Sequence, residues 1–159
     1  MNNRIKWDIR FLQLTKQISK WSKDPNTKVG AVIVRPDKSI ISTGFNGFPI
    51  GCNDNYDLYN NKENKLKQII HAELNAILLA RINLQDCIMY VYPPGVGPSC
   101  NQCVIAIIQS GIKRIVHYIK TDSRCKSSWT EPAILGLNLF KEAGVEVTIY
   151  KESKTDKDI

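Results

Sequence analysis

No run of apolar residues in this 159-residue chain approaches the ~20 that a membrane-spanning helix needs. A membrane-embedded protein is therefore not expected. The opening MNNRIKWDIRF lacks the basic, then apolar, then small-residue order of a secretion signal, so a cytoplasmic protein is the expectation. There is no internal repeat and no linker-like shift in composition, which leaves one domain over residues 1–150 and a tail, KESKTDKDI (151–159), that has nothing to bury and frays. No stretch interleaves aromatics with Lys or Arg as a base-stacking groove would, which argues against a nucleic-acid partner. Cysteine is scarce and odd in number: five, in a chain without a secretion signal, point to free thiols or metal ligands rather than a disulfide framework. What is present is ordinary for a globular protein, 43% hydrophobic and 23% charged, at a length that buries a core without staples. The net charge of +7 fits an anionic partner such as a nucleotide phosphate, or only a lysine-rich solvated surface.

Hydrophobic periodicity orders the elements. Trp7, Phe11, Leu14 and Ile18 form a helical stripe, ended by SKDPN. KVGAVIV and SIISTGF read as strands of a hairpin joined by RPDK. Residues 51–68 are polar and predict a loop with helical turns. IIHAELNAILLA (69–80) predicts a helix, with Ile70, Leu74, Ile77 and Leu78 on one face. The strand CIMYVY, the helix CNQCVIAIIQS stopped at Gly111, the strand RIVHYI, a helix carrying Ile134, Leu137 and Leu139 or Phe140, and the strand VEVTIY complete the chain. Helices between consecutive strands imply parallel neighbours, and the hairpin adds an antiparallel member. The expected fold is α/β: a mixed five-stranded sheet with helices on both faces, in three α-β-α layers.

Two short motifs do not belong to the core pattern. His71 and Glu73 stand in HAE, and Cys100 and Cys103 in a CxxC at the start of the next predicted helix. HxE alone is met by any buried, hydrogen-bonded histidine, and CxxC alone by a redox pair. Together they match the zinc-deaminase pattern of one His, two Cys and a glutamate that does not ligate. Positions i and i+2 diverge in mid-helix, so His71 and Glu73 can converge only in a first turn, with the metal beyond the helix end. Two thiolates and a neutral imidazole balance the charge of zinc and leave a fourth position for water, the mark of a catalytic site. Glu73 is the candidate base. A structural, four-ligand zinc remains the alternative, with Cys52, Cys87, Cys125 or His117 as the fourth ligand.

SKDPNTKVGAVIV, GFNGFPIGCND, HAELNAI and CNQCVIAIIQSGIKRIV together resemble the deoxycytidylate (dCMP) deaminase family, within the cytidine deaminase-like fold; the matching segments run from about Trp7 to Tyr118. The resemblance implies hydrolysis of dCMP to dUMP and ammonia by a zinc-activated water, with Zn2+ on His71, Cys100 and Cys103 and proton transfer by Glu73. It further implies that the Ala72 N–H binds the base carbonyl, that Asn46 binds the sugar and that the backbone at Ser99 receives the amine. Gly44, Asn46, Gly47, Pro49 and Gly51 match a loop implied to bind regulatory dCTP and dTTP, and the implied assembly is a homo-oligomer, a hexamer. Lys28 and Ser22 are candidate phosphate contacts. The chain departs from the family where Ser99 separates Pro98 from the first metal cysteine, and again over residues 119–132, where Trp129 is expected to pack rather than to line a pocket. Rivals keep the chemistry on another substrate, such as tRNA adenosine, guanine or another cytosine nucleotide, or make the protein a non-catalytic zinc module.

Overall fold

The computed structural model describes residues 2–93, 99–119 and 131–151. Its elements in order are α1 (Asn3–Ser19), β1 (Gly30–Val34), β2 (Ile40–Phe45), a single 3-10 turn (Tyr56–Tyr59), α2 (Lys62–Gln68), α3 (Ala72–Ala80), β3 (Ile88–Tyr92), α4 (Asn101–Gln109), β4 (Arg114–Ile119), α5 (Glu131–Glu142) and β5 (Glu146–Lys151). The five strands form one sheet in the order β2-β1-β3-β4-β5. β1 is antiparallel to both neighbours, whereas β3, β4 and β5 run parallel. The predicted mixed sheet is therefore observed, and so are its layers. α1 covers one face through Phe11, Leu12 and Ile18 against Val32, Tyr90, Val116 and Tyr118. The other face carries α3, α4 and α5, whose Ala76, Ile107 and Phe140 meet Ala31, Met89 and Ile115.

Several boundaries differ from the sequence reading, each for a physical reason. α1 starts four residues before Trp7, at Asn3, because the Asn2 side chain accepts the Arg4 N–H at 3.0 Å and caps the helix. Its buried stripe runs through Asp8, Phe11, Leu12, Thr15 and Ile18, and so includes a carboxylate. α2 lies inside the predicted loop, capped by Asn61. Ile70 is not helical: it pairs with Gly47 in an antiparallel bridge, its N–H reaching Gly47 O at 2.8 Å, so that α3 begins only at Ala72. Leu78, expected on the buried face, is 59% exposed. On α5 the buried line is Ala133, Gly136 and Phe140 rather than Ile134. A Cβ on Gly136 would lie 3.1 Å from Val104 Cγ2, so small residues are what bring α5 onto α4. Lys151, assigned to the tail, pairs with Ile119 as the last residue of β5; residues 152–159 lie outside the described residues. No described helix is long and apolar enough to cross a membrane.

Candidate active site

The carboxyl ends of β2 and β3 and the start of β1 meet at one edge of the sheet, as the pairs Gly30–Phe45 and Gly30–Tyr92 require. Strand ends of this kind are where α/β sheets bind ligands. α3 is seated there by β2. A Cβ on Gly44 would lie 2.3 Å from Ala72 O and 2.5 Å from Ala76 N, so only glycine lets the helix rest directly on the strand. Ser42 Oγ donates to Ala76 O at 2.7 Å, and Asn75 Nδ2 donates to Phe45 O at 2.9 Å, fixing the same two elements. Sequence reasoning missed both of these clamps.

His71 is the N-cap of α3 and Cys100 the N-cap of α4, with Glu73 and Cys103 in the respective first turns. Two helix N-termini thus converge, as the i, i+2 spacing demanded. Cys100 Sγ lies 3.1 Å and Cys103 Sγ 3.5 Å from His71 Nδ1, and the three donor atoms all fall within 4.8 Å of one another. With zinc bonds of about 2.3 Å to sulfur and 2.0–2.1 Å to nitrogen, donors on one ion sit roughly 3.5–4 Å apart. The group fits zinc after side-chain adjustments of about an ångström or less. Among the described residues the group has three members, and Cys52, Cys87 and His117 stand outside it; Cys125 and Trp129 lie outside the described residues.

The protons of this trio are shared. The Cys103 thiol, and then His71, hold Cys100 down at about 4 against its own burial. Cys103 is pushed up by its bond to Cys100 and by burial. The bond to Cys100 raises His71 against desolvation. Metal ligands must shed such protons, so a bound cation would replace them. Helix N-termini favour the thiolate form.

Glu73 is 4% exposed. Burial pushes its carboxyl above the usual range, opposed by hydrogen bonds that include one from Ser99 and by the charge of His71. Ser99 Oγ donates to Glu73 Oε1 at 2.7 Å. Ala72 is fully buried at the first helical position, where backbone N–H groups have no partner within the helix.

The remaining candidates take structural places. The Asn46 amide accepts Val29 N–H at 2.8 Å and donates to Thr27 O at 2.8 Å, bracing the start of β1. Ser22 is buried, its carbonyl accepts from Lys28 Nζ, and its Oγ accepts Asp24 N–H. Lys65 of α2, which sequence reasoning did not single out, reaches Asp24 at 2.8 Å as a buried ion pair that ties down the same loop. Gly47 makes the bridge to Ile70, Pro49 O accepts Cys52 N–H, and Gly51 turns the chain at φ +84°.

The cytidine and deoxycytidylate deaminase zinc-binding region matches residues 5–119. An uncharacterized deaminase in the luxG 3′ region of Aliivibrio fischeri is 40% identical over 145 residues, covering 90% of this chain and 92% of that protein. Mouse deoxycytidylate deaminase is 36% identical over 149 residues, covering 89% and 78%. Among solved structures, the dCMP deaminase of cyanophage S-TIM5 superposes with a TM-score of 0.65 at 24% identity, over 94% of this chain and 99% of that one, a likeness of fold. Since the matched span contains His71, Glu73, Cys100 and Cys103 in one convergent group, this chain belongs to the cytidine and deoxycytidylate deaminase zinc-binding family.

Proposed function

We propose that the protein hydrolyses dCMP to dUMP and ammonia, supplying dUMP for thymidylate synthesis in the cytoplasm. The observation that carries this reading is the convergence of His71, Cys100 and Cys103 beside a buried Glu73; the mouse relative's name favours dCMP as the substrate. A zinc ion on those three ligands would supply Lewis-acid activation of water at neutral pH. Glu73 moves the protons. With Oε1 engaged by Ser99, Oε2 is the oxygen that takes the proton of the attacking water. Glu73 delivers it to N3 of the cytosine ring as the water's oxygen bonds to C4, then carries the proton of the resulting C4 hydroxyl to the amine as the C4–N bond breaks and the carbonyl forms, so the carboxylate is ionised at the start and the end of the cycle. Burial, which raises its proton affinity, suits it to this work. The Ala72 N–H receives the base carbonyl, the backbone at Ser99 the amine, and the second hydrogen of Asn46 Nδ2 the sugar.

The loop carrying Gly44, Asn46, Gly47, Pro49 and Gly51 is assigned to effectors, dCTP activating and dTTP inhibiting. Two contacts support this assignment. Gly44 lies directly under α3, and Gly47 holds Ile70 next to His71, so a ligand that moves the loop moves the metal-binding turn. The assembly assigned to the protein is a homohexamer. Apolar side chains left exposed on the outer helical layer, Leu78 of α3, Ile105 of α4 and Ile134 of α5, suit an interface between copies. The test is an assay of zinc-loaded protein against dCMP, CMP, dCTP, deoxycytidine and guanine, with and without added dCTP or dTTP. Turnover of dCMP, raised by dCTP and lowered by dTTP, is expected. Silence on every small substrate would overturn the reading.

A further inference from the structure

Ser99 stands immediately before the first metal cysteine and has an unusual backbone. Its φ is +42°, in the left-handed region that non-glycine residues rarely occupy, so the backbone is strained there. The strain does not serve to cap a helix. Cys100 is the N-cap of α4 and makes no side-chain capping bond, and the hydroxyl of Ser99 does not turn back to α4 either. It crosses to α3 and donates to Glu73 Oε1 at 2.7 Å. Twenty-six residues separate the two in sequence, so the contact is made by the fold and not by local chain geometry.

We infer that Ser99 is a positioning residue for Glu73, holding one carboxylate oxygen so that the other faces the reacting water and ring nitrogen. The inference rests on the proposed deaminase reading. A glutamate has three side-chain torsions, and the donors to the Glu73 carboxylate are its own backbone N–H and the Ser99 hydroxyl. The first of these bonds is made within the residue, so the Ser99 bond is the one that ties the carboxylate to another element. The bond also couples the two first turns. Ser99 leads directly into Cys100, and Glu73 lies two residues past His71, so proton carrier and metal ligands are held to one another from both helices. A proton carrier misplaced by about 1 Å loses roughly 100-fold in rate. The hydroxyl, rather than the residue's backbone role, carries the effect.

Two substitutions separate hydroxyl from backbone. Ser99→Gly removes the hydroxyl and relieves the left-handed strain, whereas Ser99→Ala removes the hydroxyl and keeps the strain. Both are compared with wild type for zinc content, for kcat and KM on dCMP, and by calorimetry for binding of dUMP and of a hydrated pyrimidin-2-one deoxyribonucleotide that mimics the tetrahedral stage. In both variants zinc content is expected to stay at the wild-type level and KM within about threefold, while kcat falls roughly 10- to 100-fold, the range of a lost supporting contact. The mimic weakens by a similar factor and dUMP binds as before. A Ser99→Gly protein with wild-type kcat and wild-type affinity for the mimic overturns the role, as does a loss of zinc that accounts for the whole drop in activity. Failure of the deaminase reading is seen separately, as zinc-loaded wild type that leaves dCMP intact, and the Ser99 role then falls with it.

Discussion

Asp8 and Glu73 are both buried carboxylates, at 1% and 4% exposure, on opposite faces of one sheet. Asp8 is saturated. Its Oδ1 accepts Tyr90 OH and Arg114 Nη1 at 2.8 Å each, and its Oδ2 accepts Arg114 Nη2 at 2.6 Å and Tyr150 OH at 2.9 Å. Burial pushes its carboxyl up, but these bonds outweigh burial and hold it below the usual range. Glu73 has one side-chain donor, Ser99, and burial wins, so it is raised. The same residue class is thus a rivet at one place and, in the proposed reaction, a proton carrier at the other. The number of donors decides which.

The two sites should therefore fail in opposite ways. Glu73→Gln keeps the shape, removes the proton-accepting oxygen, and is expected to lower kcat by about 10²–10⁴-fold with zinc content unchanged. The zinc-free variant should melt at or above the wild-type temperature, because a buried and sparsely bonded charge has gone. Asp8→Asn leaves the Arg114 guanidinium facing a neutral amide and should destabilise the fold by about 3–5 kcal/mol, lowering the melting midpoint by the order of 10 °C. Its kcat, measured well below that midpoint, should stay within twofold of wild type. A large loss of kcat in Asp8→Asn, or a cold-stable Asp8→Asn beside a collapsing Glu73→Gln, would erase the distinction.

Much of the active end was legible in the sequence, and most of the Asp8 end was not. The metal group needed only two short motifs and the argument that i and i+2 side chains meet in a first turn alone. The mixed character of the sheet followed from helices alternating with strands and from the hairpin, whereas the antiparallel pairing of β1 with β3 did not. Nothing in the sequence sets Asp8 apart in the stripe of α1, since its partner Arg114 is 106 residues away. The start of α3 was misjudged for the same reason. The bridge from Ile70 to Gly47 joins residues far apart in sequence, and nothing within IIHAELNAILLA announces it. On α5, Phe140 is buried as expected, but Ile134 is not, because the other inward positions are the small Ala133 and Gly136 and periodicity weighs large apolar residues most heavily. Local patterns are readable; contacts that close long loops are not.

An intermediate effect is expected where packing positions the chemistry. Gly44→Ala puts a Cβ 2.3 Å from Ala72 O, a backbone atom with no room to yield. Overpacking of this kind costs about 1–3 kcal/mol. Because α3 must lift off β2, the displacement falls on His71 and Glu73. Zinc affinity and kcat should drop together, which chelator competition and steady-state kinetics can check. This distinguishes the change from Glu73→Gln, which leaves the metal in place. Wild-type zinc affinity in Gly44→Ala would mean that the clamp does not set the site.

The smallest effect concerns acid. Asp24 resembles Asp8: burial raises it, but Lys65 and the N–H groups of Asn26 and Thr27 prevail and hold it low. A carboxyl depressed in the folded state contributes stability that is fully present above its unfolded value of about 3.9 and is lost as pH falls through the lower folded value. Wild-type stability should therefore decline below about pH 4 as Asp8 and Asp24 take up protons. Urea unfolding followed from pH 6 to pH 3 should show that slope, and Asp8→Asn, though weaker throughout, should show a shallower one because one of the two titrating rivets is gone. Parallel slopes in the two proteins would mean that the Asp8 charge contributes nothing the amide cannot. The contrast between a saturated and a sparsely bonded carboxylate would then rest on Glu73 alone.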